Sequence, residues 1–259
     1  MNLRLILIMV ILSVSFQTAC FCEYKWYERK SDHFIVYYKN APLKLVSKLI
    51  KRSEYLYTKI NEWLGFEQFH FWLWDKRCRI VIFDDFQDYK NKTFFPSWSQ
   101  AGVDCQQRII YLHKDIDIEY FLGNSLPHEM SHLIFREFMG KVNLPLFLEE
   151  GVATQQEENS QIYKSIVNNM IIQESYLPFE RLVSIQTPSE LSNKEAVYFY
   201  AQSFSVIYFL IRNYGKAKFV EFCSLLRDGV RWDKALQRIY KINSLRELKD
   251  EWRRFWSSG

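Results

Sequence analysis

The sequence predicts an α+β fold built as two lobes of one domain: a small mixed α/β lobe over residues 24–115 and a helical lobe over 116–259. Three observations carry this. Short runs rich in β-branched and aromatic residues occur only before residue 115. Beyond it, the apolar residues recur at helical spacing. No Ser/Gly-rich linker separates the two parts, so they read as a single unit from residue 23 onward. A chain of 259 residues that is 48% hydrophobic and 25% charged can bury a sizeable core and gives no sign of disorder or repeats.

In the first lobe, SDHFIVYY (31–38) alternates as a strand. Between Pro42 and Leu64 the apolar positions Leu45, Leu49, Leu56, Ile60 and Trp63 keep helical spacing, and Gly65 is a natural stop. CRIVIF (78–83) reads as a buried strand, DDFQDYKN (84–91) as a short helix and RIIYLH (108–113) as a further strand. The aromatic run FEQFHFWLWDK, which begins at Phe66, reads as core or as a hairpin packing the lobes together. In the second lobe, helices are expected over 126–139, 146–157, 159–173, 191–213, 216–226, 231–239 and 244–255, punctuated by Gly140, Gly151 and Gly215.

The first 22 residues are of another kind. Arg4 is followed by a largely apolar run from Leu5 to Phe16 and then by the small or polar residues Gln17, Thr18, Ala19 and Cys20. This is the layout of an export signal. As a helix the run spans about 18 Å, short of the ~30 Å hydrocarbon core of a bilayer. Thr18-Ala19-Cys20 also resembles the end of a lipoprotein signal, with Gln17 where a large aliphatic residue is usual. The expectation is therefore an exported protein of the periplasm, cell envelope or exterior. It would be released by cleavage near Cys20 to Cys22, or attached to a membrane through a lipidated Cys20 or the uncleaved segment. Export permits disulfides; Cys78 and Cys105 are close enough in the predicted sheet to pair or to stay free, and Cys223 lies in an apolar helical pattern as a buried thiol. The net charge of +4 is spread along the chain, which argues against nucleic acid as a partner.

The chemistry concentrates in LPHEMSHLIFREFMG (126–140). Residues four apart on a helix stand one turn apart on one face, so His128 and His132 can aim both imidazoles at one point. Ser125 is a candidate N-cap, and Pro127 suits the first turn, where its missing N–H costs nothing. Catalytic zinc typically takes three protein ligands and leaves one position open. LPLFLEEGVATQQEE (144–158) offers adjacent carboxylates, Glu149 and Glu150, which point about 100° apart on a helix, so that one of them can face the histidines. The small residues Gly151 and Ala153 would let this helix approach the histidine helix closely.

With its H-E-x-x-H stretch followed by Glu150-Gly151-Val152-Ala153, the chain resembles the gluzincin zinc metallopeptidases, the thermolysin-like class, and more closely the peptidase MA-like family. Trp26, His33-Phe34, Leu126 to His132, Leu148 to Ala153, Tyr200-Ala201-Gln202-Ser203 and Tyr214-Gly215 carry the likeness. The resemblance implies a gluzincin-type catalytic domain with the active-site helix between the lobes. It also implies one zinc ion held by His128, His132 and Glu150, and Glu129 as the base that takes a proton from water. A Tyr of the helical lobe is expected to stabilise the oxyanion; Tyr200 is the candidate and Tyr198 its competitor. By the same resemblance RIIYLH is the edge strand that pairs with substrate backbone. The expected function is zinc-dependent hydrolysis of a peptide or protein substrate. The alternatives are a peptidase-like envelope protein that binds without cleaving, and hydrolysis of a non-peptide amide.

Overall fold

The computed structural model of the chain describes residues 25–93, 95 and 101–258; the expected export signal, with Cys20, lies outside the described residues. The first part of the chain supplies β1 (Tyr27–Lys30), β2 (Phe34–Tyr38), α1 (Leu43–Leu64), β3 (Cys78–Phe83), α2 (Phe86–Lys92), β4 (Ala101–Asp104) and β5 (Ile109–His113). Helices then follow one another: α3 (Ile118–Tyr120), α4 (Leu126–Met139), α5 (Leu146–Thr154), α6 (Gln161–Ile172), α7 (Phe179–Ser184), α8 (Asn193–Tyr214), α9 (Lys216–Arg227), α10 (Trp232–Tyr240) and α11 (Leu245–Ser257). The fold is α+β, as the sequence predicts.

The five strands form one mixed sheet in the order β1-β2-β3-β5-β4. β2, β3 and β5 are parallel, and β1 and β4 close the two edges antiparallel. Alternation along β2 buries Phe34, Val36 and Tyr38 on one face, with Cys78, Ile80 and Ile82 beside them on β3. α1 makes the crossover between the parallel strands β2 and β3 and buries Val46, Leu49, Leu56, Ile60 and Leu64. It ends at Gly65 in the left-handed conformation (φ 79°), whose N–H bonds the Asn61 carbonyl.

The expected strand 108–113 is present as β5, but it is an interior strand, paired on both sides. The edge facing α4 is β4, which is only four residues long and alternates weakly, so its pattern is faint in the sequence. β1 was equally hard to read because all four of its residues are exposed. The aromatic stretch after Gly65 does join the lobes, though as a loop rather than a hairpin. Phe66 stacks on Phe138 of α4 at 4.1 Å and Trp72 is buried, while Trp74 is 78% exposed. Cys78 and Cys105 are both free, and Cys223 is a buried thiol.

One continuous apolar core runs from Phe34 in the sheet through α4 and α8 to Trp252 in α11. α8 starts at a capping box: the Glu195 N–H donates to Ser192 Oγ while the Ser192 N–H donates back to Glu195. Gly151 of α5 packs against α8, not against the histidine helix as its small size suggested. A Cβ there would fall on the Ser203 carbonyl oxygen and lie 2.6 Å from Ile207 Cγ1. No helix among the described residues is long and apolar enough to cross a membrane.

Candidate metal and catalytic centre

α4 lies between the sheet lobe and the remaining helices. Its buried face (Met130, Leu133, Ile134, Phe138) holds it in the core, so its polar positions 128 and 129 come to the surface of a cleft, with His132 beside His128. Ser125 does not cap it. The chain arrives through α3 and a π-helical turn, Phe121–Ser125, and Ser125 itself is helical (φ −66°, ψ −45°). Gly140 ends α4 at φ 69° with its N–H on the Arg136 carbonyl.

His128 Nε2 and His132 Nε2 face one another at 3.1 Å. Glu150 of α5 closes the triangle, with Oε2 3.5 Å from His128 Nε2 and Oε1 3.8 Å from His132 Nε2. One ligand atom from each of the three residues lies within 4.8 Å of the other two. Glu149 points elsewhere and is ion-paired with Arg136, one turn beyond His132 on α4. The backbone around Glu150 is tied down by Thr154, whose hydroxyl donates to the Glu150 carbonyl at 2.7 Å, and by Gln155, whose amide donates to the Phe204 carbonyl at 2.6 Å.

The residues fit a divalent metal with nitrogen and oxygen preferences. Two imidazole nitrogens and a carboxylate converge, and the other ring nitrogen of His128 is already engaged: Nδ1 lies 2.7 Å from Glu157 Oε1. That contact leaves the Nε2 lone pair for the cluster and orients the ring, as carboxylates behind histidine ligands do. Glu157 also accepts from the Tyr163 hydroxyl at 3.2 Å. Sequence reasoning missed Glu157. The helix expected over 146–157 ends at Thr154, so Glu157 is extended beyond it and its direction does not follow the helical spacing read from the sequence.

The electrostatics are coupled. Burial works against a charged His128, but hydrogen bonds to Glu150 and Glu157 outweigh it and raise its pKa to about 10. His132 moves the other way, to about 4, because burial and then the charges of His128 and Arg136 outweigh the pull of Glu150. Burial raises the Glu129 carboxyl, and the charges of Glu150 and Glu157 add to that against the opposing effect of His128. Glu150 is lowered: the two histidines overcome the cost of its burial. One carboxyl raised by burial, beside another lowered by its two histidines, is the pattern of groups set to different acid-base tasks.

Tyr200 of α8 lines the same cleft, of about 300 Å³, with Tyr120, His128, Glu129, Glu157 and Tyr163. Burial, then the charges of Glu150, Glu157 and Glu129, push its hydroxyl up to about 12, so it stays a donor at neutral pH. Tyr198 does not line this cleft; Lys194 Nζ sits 5.8 Å from its ring centre. A roomier cavity of about 430 Å³ opens between residues 142–145 and 229–232, but it contains none of these groups.

A helix carrying two histidines and a glutamate, closed by a carboxylate from the next helix and opened to a tyrosine-lined cleft, defines a peptidase-like α+β protein of the two-histidine, one-glutamate class. Residues 74–258 match the family model described as the Peptidase MA superfamily. That is well over half of the chain, and the protein belongs to this superfamily. The match begins after β1, β2 and α1, so Trp26 and His33-Phe34 lie outside it. No curated protein matches the chain.

Proposed function

We propose that this protein is an exported, zinc-dependent peptidase of the gluzincin type, acting on a peptide or protein substrate. The observation that supports it most is the convergence of His128, His132 and Glu150 within 4.8 Å, beside a cleft that His128 and Glu129 line. The three residues would hold the metal, with Glu157 fixing the His128 ring. A zinc ion bound there supplies a Lewis acid that acidifies water and polarises a carbonyl. Glu129 takes the proton from the attacking water and returns it to the leaving amine, a task suited to a carboxyl whose pKa burial has raised. Tyr200 donates its hydroxyl proton as a hydrogen bond to the oxygen that gains charge. The antiparallel strand β4 lies at the edge of the sheet beside α4, and an extended substrate would lie along it. Export, and attachment through Cys20, rest on the N-terminal sequence alone.

The test is zinc content and cleavage of a broad peptide library by the purified protein, beside Glu129→Gln and Glu150→Ala. The expected result is about one zinc per chain and metal-dependent cleavage in the wild type. Glu129→Gln should keep the zinc and lose turnover by at least 10²-fold, the scale of general acid–base catalysis. Glu150→Ala should lose most of the zinc. Full activity in Glu129→Gln would overturn the mechanism; zinc without any cleavage would favour a binding protein.

A further inference from the structure

We propose that Asn124 is a positioning residue for this centre: it seats the loop that carries Glu157, and through Glu157 it sets the orientation of the His128 ring. The inference rests on the metal-site reading above and adds a residue that no motif includes.

Apart from the Tyr163 hydroxyl on its carboxylate, Glu157 has little local support. α5 ends at Thr154, and Glu157 is extended (φ −68°, ψ 138°) at the start of a single 3₁₀ turn. A carboxylate must nevertheless be held to a few tenths of an ångström to orient an imidazole, so its position has to come from tertiary contacts.

Those contacts come from three consecutive residues of the π turn. The Leu122 carbonyl accepts from Arg52 Nε at 3.0 Å, and the same guanidinium reaches Glu158 Oε1 through Nη2 at 2.6 Å. Gly123 leaves just enough room for the loop, since a Cβ there would stand 2.6 Å from Glu158 Oε2. Asn124 is buried; its Oδ1 accepts from the Asn159 N–H at 3.1 Å and its Nδ2 donates to the Tyr120 carbonyl at 3.4 Å. The loop is thus gripped immediately after Glu157, and the grip is built into the turn that leads into the histidine helix. A π turn inserts one residue into a helix and is often found at functional sites. Here it turns a polar side chain and a bare glycine toward the Glu157 loop directly ahead of His128. Arg52 is partly exposed and shared with Glu158, whereas Asn124 is the buried side-chain link between the π turn and the loop backbone.

The test is a double-mutant cycle on zinc affinity, measured by competition with a chromophoric chelator. In the native background, Asn124→Ala is expected to weaken zinc binding by roughly tenfold, within the ten- to hundredfold range for groups behind a ligand. In a Glu157→Ala background the same change should have little further effect, because its route to His128 is already cut. Asn124→Asp, which keeps the acceptor for Asn159, should restore most of the affinity. If Asn124→Ala does not fold, Arg52→Met loosens the same loop and should weaken binding in the same direction, again only while Glu157 is present. Losses that simply add, or unchanged affinity in folded Asn124→Ala, overturn the proposal and leave the metal site standing. Absence of zinc binding in the unmutated protein overturns both, and is seen in the first arm alone.

Discussion

His128 and His132 sit one turn apart and yet are driven in opposite directions. Carboxylates on both ring nitrogens make His128 the proton store of the pair, while His132 has one carboxylate and a cationic neighbour, and its burial keeps it neutral. A metal needs both Nε2 atoms unprotonated. With His128 raised to about 10, the proton must leave when zinc arrives, so below that value affinity should climb with pH, by about tenfold per unit for one proton released. Titration calorimetry in buffers of different ionisation enthalpy at pH 7 should report release of about one proton. A proton-neutral reaction would show that His128 is already neutral without metal. At this scale the motif was readable, because H-E-x-x-H encodes its own geometry. The choice of Glu150 over Glu149 followed from the resemblance to gluzincins, and the ion pair of Glu149 with Arg136 gives its physical basis.

Among the elements, α5 carries the tightest constraint. It is pressed against α8 so closely that position 151 has no space for a methyl group, with a backbone carbonyl on one side and Ile207 on the other. A backbone atom cannot swing away as a side-chain end can. Gly151→Ala should therefore destabilise the protein by about 1–3 kcal/mol, the usual cost of overpacking, despite alanine's better helix propensity. Chemical denaturation would check this, and a neutral or stabilised variant would show that the two helices can separate. The same helices explain the Tyr200-Ala201-Gln202-Ser203 stretch. Tyr200 reaches the cleft, and Gln202 is wholly buried with its amide bonded both ways to the Leu177 backbone at 3.0 Å. The carbonyl of Ser203 forms the wall behind Gly151.

For the molecule as a whole, the apolar core shared by sheet and helices predicts joint unfolding. Calorimetry should give one transition. Zinc should raise its midpoint: a ligand at a hundred times its Kd adds about 2.7 kcal/mol, on the order of 5–10 °C for a chain of this size. Two transitions, with only the later one moved by zinc, would mean that the lobes fold apart.

By itself the sequence determined the class of fold, α1, β3 and the helical order after residue 115, because amphipathic spacing is a local property of the chain. It also marked the two histidines and Glu129, since five consecutive residues of one helix are enough to write that constellation. Tertiary structure alone decided what lies at the sheet edge, because β1 and β4 are only four residues long and β1 is exposed throughout, so neither leaves a clear pattern. It also decided that α4 is entered through a π turn rather than a serine cap, and that Gly151 serves α8. Glu157 and Asn124 belong to that second group: one lies in a non-helical connection and the other in a π turn, where the direction of a side chain is set by what the chain packs against and not by regular α-helical spacing.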